Sequence, residues 1–384
     1  KGLKMPGYEV IGKEEQQAVW ELFEEGGVLF AHGFQARRKR FHVREFEAQL
    51  AQHFGADDAL CLSSGTAAVK VALKAMNIGP GDEVITQCFN FIATLEAIVD
   101  CGALPVIAGS DRSLNMDPDQ IEALITPRTK AIMPVHMLGV SADMDRILAI
   151  AAAHKLYVIE DACEAVGGLY NGRALGTLGD MGVYSFDFGK TITTGEGGLI
   201  LTSNPHLAER ARQYHDHGHR NLPNVPRGLD TAGLIGFNYR MGEMNAVVGK
   251  VQLGKLATII TQTKVRYLAL DAGISSNMLL KRMIPAKAEP AYDTFIFEVE
   301  NVVLREALIA RLNELGFGTK NLPDAMNWHC SVYWDHMGFD TRTEAALDTQ
   351  ALLLRQIAIP IVLGKSVKDY ADLAAACEEL TRQC

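Results

Sequence analysis

The chain has 384 residues, of which 48% are hydrophobic and 22% charged, a balance typical of an ordinary globular protein. The formal net charge of −9 argues against nucleic acid as the main partner, because neutralising phosphates requires a basic face. No apolar run reaches membrane-spanning length, and seven scattered cysteines without a CxxC pair predict reduced thiols in a cytoplasmic protein.

The first part of the chain predicts two amphipathic helices, over residues 12–26 and 43–53, separated by a glycine-containing loop. This loop carries the basic cluster Arg37–Arg40, which is expected to be solvated, to lie at an interface or to meet an anionic substrate. Met5 is expected to be the natural start, preceded by a short extension.

A short strand at 59–62 leads into small polar residues, Ser63–Thr66, and then into a helix-forming run. Free backbone N–H groups at a helix start form a ready phosphate site. The same pattern also fits an ordinary Ser/Thr helix cap, and the residues alone leave both interpretations open.

Strands and helices then alternate, with strands predicted at 83–86, 104–107, 131–135 and 156–159 and helices at 117–125 and 144–154. This alternation predicts a mostly parallel sheet with helices on both faces. Asp161 follows the last of these strands, where ligands bind in open α/β sheets. Its carboxylate suits a protonated pyridine nitrogen, although an acid at a strand end is more often a helix cap or a loop residue. His136, after another strand, is expected to be structural or to line a substrate pocket.

The stretch 182–200 predicts a strand ending near Phe186, a loop carrying Lys190, a glycine cluster and a second strand from Leu199. A lysine beside Gly195, Gly197 and Gly198 can approach a planar ligand and form a Schiff base with it. Taken alone, a loop lysine is more often a solvated surface residue.

The remaining chain predicts helices at 206–214 and 243–256 and then a second, smaller domain from residue 256. That domain should contain a helix to about 268, a strand at 294–298, a helix at 305–315 and a final helix from 367. The histidines at 215, 217 and 219 lack further ligands at suitable spacing, so a polar loop is favoured over a metal site. The aromatic segment 327–334 is expected either to border the substrate pocket or to pack the domain seam.

Six motifs match, in order and spacing, the sugar aminotransferases of the DegT/DnrJ/EryC1/StrS group, and the likeness runs from about Tyr8 to Ile361. The motifs are Ser63–Ala68, Glu160–Ala165, Tyr184–Phe186, Lys190, Thr194–Gly198 and Asn238–Met241. The resemblance implies an α/β protein with the type I fold of pyridoxal-phosphate transferases, the aspartate-aminotransferase fold. We therefore expect a large cofactor-binding domain at 8–255, with a mostly parallel mixed sheet, and a smaller C-terminal α+β domain at 256–384.

The resemblance also assigns roles in binding pyridoxal 5′-phosphate. Lys190 would bind the cofactor covalently and transfer protons, Asp161 would pair with the pyridine nitrogen, and Phe91 would stack on the ring. The phosphate would lie against Ser64, Gly65, Thr66, Ser185 and Asn238, the last supplied by a neighbouring subunit of a homodimer. Glu164 departs from the Gln or His that the family more often has beside the phenolic oxygen of the cofactor.

The implied activity is transfer of an amino group from an amino acid, expected to be glutamate, to a keto or aldehyde sugar for cell-surface polysaccharide or lipopolysaccharide. The sugar is either a nucleotide-linked 4-keto-6-deoxy sugar or 8-oxo-3-deoxy-manno-octulosonate, the latter suggested by the basic loop and by Thr319–Pro323. The alternatives are a keto-sugar dehydratase of the same family, which carries His in place of the lysine, and a non-catalytic cofactor-binding sensor.

Overall fold

The computed structural model describes residues 5–30, 40–222, 225–230 and 233–383. The helices are α1 Pro6–Glu9, α2 Lys13–Glu24, α3 His42–Phe54, α4 Gly65–Ala75, α5 Ile92–Asp100, α6 Pro118–Leu124, α7 Met144–His154, α8 Pro205–Tyr214, α9 Glu243–Gly273, α10 Val302–Glu314, α11 Met326–His329, α12 Glu344–Leu353 and α13 Val367–Thr381. The strands are β1 Asp58–Leu62, β2 Glu83–Gln87, β3 Leu104–Ala108, β4 Thr129–Ile132, β5 Tyr157–Asp161, β6 Leu169–Tyr170, β7 Arg173–Ala174, β8 Met181–Ser185, β9 Gly198–Thr202, β10 Leu280–Lys281, β11 Ala288–Glu289, β12 Thr294–Glu298 and β13 Gln356–Pro360.

Seven strands form the central sheet in the order β1-β9-β8-β5-β4-β2-β3. The neighbours from β8 to β3 pair in parallel, whereas β9 is antiparallel to both β8 and β1. This is the mostly parallel mixed sheet that the sequence predicts. Because parallel strands share one carboxyl edge, the residues after β2, β5 and β8 meet at the same place.

Helices cover both faces of this sheet, since buried parallel strands need an apolar partner on each side. One core joins the sheet to α3, α7 and α9, with Phe46, Ile147 and Leu256 almost completely buried. The other core joins it to α4, α5 and α8. The buried apolar side of α4 therefore holds the start of that helix against the carboxyl edge of the sheet.

The helix predicted to end at residue 256 instead continues to Gly273 as the single helix α9. Residues 243–273 contain no proline and are rich in helix-forming residues. Nothing in the local sequence therefore ends the helix at residue 256. The division of the chain at residue 256 stays a prediction. Downstream, β10, β12 and β13 form a separate antiparallel sheet that packs on α10 and α13.

Two further segments differ from their predictions. The strand predicted at 131–135 ends at Ile132, and Pro134, which has no N–H to donate, separates it from a single bridge between Val135 and Asp161. The segment 327–334 contains most of α11 and a short 3-10 turn. Trp334 packs in the core and Trp328 is exposed, so neither alternative describes the whole segment.

His136 has a structural role, one of the two predicted. Its ring is fully buried, with Nε2 3.0 Å from the Glu160 carboxylate, while Nδ1 accepts a bond from the Ala142 N–H. Glu160 also accepts backbone bonds from Gly176, Leu178 and Gly179, so this buried carboxylate fixes the loop before β8.

A substitution within β8 should test how tightly that loop packs. A Cβ added at Gly182 would collide with the backbone of Gly176, whereas one added at Gly254 in α9 meets open space. We expect Gly182→Ala to lower the free energy of unfolding by about 2–4 kcal/mol, through overpacking against backbone that cannot move aside. Gly254→Ala should raise it by about 0.4–1 kcal/mol, by restricting the unfolded chain. Urea unfolding of both variants checks this, and equal stabilities would contradict it.

Candidate active site

A cavity of about 480 Å³ opens at the carboxyl edge of the central sheet. The side chains around it come from loops after β2, β5 and β8, from the start of α4 and from the C-terminal part of the chain. They include Ser64, Gly65, Thr66, Asn90, Phe91, Thr94, Asp161, Cys163, Glu164, Ser185, Asp187, Lys190, Lys320, Asn321 and His329. The cavity therefore brings together every predicted cofactor-binding residue except Asn238.

Asp161 lies at the end of β5 with only 4% of its surface exposed. One carboxylate oxygen accepts a 2.6 Å bond from the Thr94 hydroxyl, and the other accepts from the Cys163 N–H at 3.1 Å. These bonds orient the carboxylate on the cavity wall and give each of its oxygens a hydrogen-bond donor. The side chain does not cap a helix, and the residue belongs to β5.

The start of α4 combines both interpretations of Ser64. Its side chain accepts a bond from the Ala67 N–H at 3.1 Å, which makes Ser64 a helix cap. Gly65 and Thr66 lie in the first turn of α4 and line the cavity. The first N–H groups of a helix have no carbonyl partner within the helix. A Cβ at Gly65 would come within 2.8 Å of the Ser185 Cβ, so glycine brings this turn against Ser185. Donors from α4 and β8 thus converge at one point.

Lys190 is a cavity residue and not a solvated surface lysine. Its side chain is 18% exposed, and its Nζ lies 3.6 Å from Glu164 Oε1. The loop is held by a bond from the Lys190 N–H to the Asp187 carbonyl, and by one from the Gly189 N–H to the Asp187 carboxylate. Burial disfavours the charged amine, but the neighbouring negative charge, chiefly that of Glu164, outweighs it and raises the pKa of Lys190.

Glu164 is surrounded by polar groups that the sequence does not indicate. Burial opposes its charge, yet Lys190, His329 and Lys320 together lower the pKa of Glu164 to about 2. Its oxygens also lie 3.4 Å from the Leu138 N–H and 3.4–3.5 Å from the Asn321 amide nitrogen. The residue is therefore a fixed, ionised acceptor beside Lys190.

The sequence does not predict that Lys320, Asn321 and Asn90 line the cavity. The segment Thr319–Pro323 does stand out in the sequence, but nothing in it indicates that Lys320 would be buried against Asp293 at 2.8 Å. His329, predicted either for the pocket or for the seam, borders the cavity, with its ring centroid 5.4 Å from that of Phe91.

Phe91 and Asn238 differ in their relation to the cavity. Phe91 precedes α5 and lines the cavity, with 43% of the residue exposed. Asn238 is exposed, does not line the cavity of its own chain, and accepts a 3.4 Å bond from the Arg240 N–H. Residues 37–39 of the basic cluster lie outside the described residues, while Arg40 forms ion pairs with Glu25 and Glu45.

The described ranges contain neither a metal cluster nor a helix able to span a membrane. No group of three or more His, Cys, Asp or Glu there could hold a metal ion, and among the three neighbouring histidines His215 has its ring bonded to the Arg212 carbonyl. Within the same residues, no helix combines the length and apolar character that crossing a bilayer requires.

A family model described as the DegT/DnrJ/EryC1/StrS aminotransferase family matches residues 11–376. The GDP-perosamine synthase of Caulobacter vibrioides is 46% identical over 218 residues, which cover 56% of this chain and 57% of that protein. The spore coat polysaccharide biosynthesis protein SpsC of Bacillus subtilis is 45% identical over 254 residues, 64% of this chain and 63% of SpsC. The chain thus spans less than two thirds of the length of these two relatives.

The X-ray structure of the aminotransferase from Psychrobacter cryohalolentis superimposes with a TM-score of 0.83 at 29% identity, over 97% of this chain and 98% of that one. The predicted α/β fold and pyridoxal-phosphate dependence are confirmed. The family model covers nearly the whole chain, and the chain belongs to the DegT/DnrJ/EryC1/StrS aminotransferase family.

Proposed function

We propose that this protein moves an amino group from an amino acid to a keto or aldehyde sugar. The observation that carries the proposal is the position of Lys190, whose amine lies in the cavity 3.6 Å from Glu164, on the carboxyl edge that also holds Asp161. The dehydratase alternative would have His in place of Lys190, and nothing in the cavity favours it.

The cavity fits pyridoxal phosphate by the chemistry of its donors and acceptors. The turn of α4 against Ser185 offers hydroxyl and backbone donors to a phosphate, which supports the predicted roles of Ser64, Gly65, Thr66 and Ser185. Asp161, held by the Thr94 hydroxyl, supplies the carboxylate for a protonated pyridine nitrogen. The ring face of Phe91 remains partly open for stacking.

Bound pyridoxal phosphate supplies an electron sink that stabilises negative charge on the substrate carbon. In this account, Asp161 favours the protonated ring and Lys190 carries protons, taking one at Nζ when the amine is free and neutral. Glu164 attracts that proton through its charge and accepts hydrogen bonds, because an ionised carboxylate cannot donate them.

We further propose that two copies of the chain form a homodimer, in which Asn238 of one copy reaches the phosphate site of the other. Asn238 is exposed and lies outside its own cavity, which leaves it free to meet a second chain. The exposed apolar side chains of Leu229, Ile235 and Phe237 nearby, with Ile235 85% exposed, support an interface at this surface.

The substrate is proposed as a sugar of cell-surface polysaccharide, with glutamate as the amino donor and the cytoplasm as the location. The names of the relatives, a GDP-perosamine synthase and a spore coat polysaccharide protein, support a polysaccharide sugar. The six cysteines within the described residues are all free thiols, which is consistent with a reducing compartment.

Glu164→Gln should keep some activity while changing the titration of Lys190. Without the carboxylate, the attraction that raises the Lys190 pKa is lost, so the amine becomes neutral and reactive at lower pH. We expect kcat to fall by about 10–100-fold and pyridoxal phosphate still to bind. The pH dependence of Lys190 labelling in cofactor-free protein, read by mass spectrometry, measures the titration. Glu209→Gln, on an exposed part of α8, is the control. An unmoved labelling profile, or complete loss of cofactor binding, would contradict the role of Glu164.

Turnover on two sugars should identify the substrate class. Glutamate is expected to bleach the visible absorbance of the holoenzyme, and a suitable keto sugar to restore it. The probes are 8-oxo-3-deoxy-manno-octulosonate and a GDP-linked 4-keto-6-deoxyhexose, each offered to the glutamate-treated enzyme. Activity on the GDP-linked sugar alone would end the octulosonate proposal. A holoenzyme that glutamate does not bleach would argue against transamination from this donor.

A further inference from the structure

The short helix α1 packs directly on the backbone that carries Lys190. A Cβ added at Gly7 would lie 2.7 Å from the carbonyl oxygen of Lys190 and 3.0 Å from that of Thr191. It would also lie 2.9 Å from the Ile192 Cα. All three are backbone atoms, which cannot turn aside as the end of a flexible side chain can. Glycine at position 7 therefore allows α1 to lie against residues 190–192 without an intervening side chain.

Hydrogen bonds hold the Lys190 loop on both sides of this contact. The Lys190 N–H donates to the Asp187 carbonyl at 3.1 Å, and the Thr193 N–H donates to Gln252 Oε1 at 3.3 Å. Within the described ranges, no hydrogen bond reaches the carbonyl oxygen of Lys190 or of Thr191. Packing against α1 therefore supports the part of the loop that these bonds leave unsupported.

Other contacts fix the position of α1, because a helix of four residues is not stable by itself. The Glu9 carboxylate accepts bonds from the N–H groups of Leu363 at 2.6 Å and Gly364 at 2.9 Å, in the loop after β13. Bonds of this kind to an ionised acceptor are strong. The Tyr8 ring also meets the edge of Phe188, a cavity residue, at a centroid distance of 6.3 Å. The helix thus connects the loop after β13 to the Lys190 loop.

We propose that Gly7 and Glu9 are positioning residues, Gly7 setting where the Lys190 backbone lies and Glu9 holding α1 in place. The inference rests on the proposed aminotransferase function, in which the Lys190 amine carries protons at one substrate carbon. A misplacement of about 1 Å in such a group can cost about 100-fold in rate. The backbone under α1 carries the amine to within 3.6 Å of Glu164, so a shift of that backbone also changes this pairing.

The titration of the Lys190 amine reports its position without requiring turnover. Burial lowers the pKa of Lys190, but Glu164, and after it Cys163, Asp187 and Asp161, raise the pKa by more. An amine that moves away from Glu164 loses the largest of these attractions, so it becomes neutral and reactive at lower pH. Labelling of cofactor-free protein across a pH range, read by mass spectrometry, measures this change.

Gly7→Ala should shift the labelling profile of Lys190 to lower pH. In the holoenzyme, kcat of the glutamate half-reaction should fall about 10–100-fold while KM for glutamate stays within about threefold, because the change moves the proton carrier. Gly12→Ala is the matched control, since a Cβ there has its nearest atom at 4.0 Å, and it should match the unaltered protein in both measurements. An unmoved Lys190 profile in Gly7→Ala, or an equal shift in Gly12→Ala, would overturn the proposal.

Lys70 in α4 serves as the internal reference, because its side chain is also 18% exposed and also pairs with an acid, Asp100. Its labelling should not change in Gly7→Ala; a parallel shift at Lys70 would show a general loosening of the fold and overturn the proposal.

Glu9→Gln tests the connection to the loop after β13 without touching the Lys190 loop. The amide keeps one acceptor oxygen and loses the charge, so the Lys190 profile should shift in the same direction by less than in Gly7→Ala. No shift would overturn the role of Glu9. If glutamate fails to bleach the unaltered holoenzyme, it is the proposed function that has failed, and the labelling comparison still decides whether α1 positions Lys190.

Discussion

The buried attraction between Lys190 and Glu164 sets the charge of the proposed active site. An amine and a carboxylate 3.6 Å apart, largely removed from water, hold each other charged against the cost of burial. Leu138, Asn321 and Lys320 surround the carboxylate, so these residues and Lys190 hold the acid from three separate parts of the chain. The central sheet makes this possible by bringing the loops after β5 and β8 to one edge.

The residues whose positions the sequence predicts are those that local structure places. Asp161 ends a strand, Ser64 begins a helix, and Lys190 lies between two strands, so each can be located from an apolar run and its boundary. The same local reasoning fails at residue 256, because the end of a helix depends on a stop signal and α9 has none there.

Residues that reach the cavity through tertiary packing could not be predicted in this way. Asn90 and His329 are far apart in the chain, and they meet through a bond from the Asn90 N–H to the His329 carbonyl. Lys320 enters the cavity wall because Asp293, the residue just before β12, binds its ammonium. No periodic pattern in the sequence indicates such contacts between distant residues.

Covalent attachment of the cofactor at Lys190 is the central claim, and one experiment tests it directly. Holoenzyme reduced with borohydride, digested and examined by mass spectrometry should carry the pyridoxal phosphate adduct on the peptide that contains Lys190. Bleaching the protein with glutamate before reduction should prevent the adduct. An adduct on Lys320 or on another side chain, or none at all, would contradict the account.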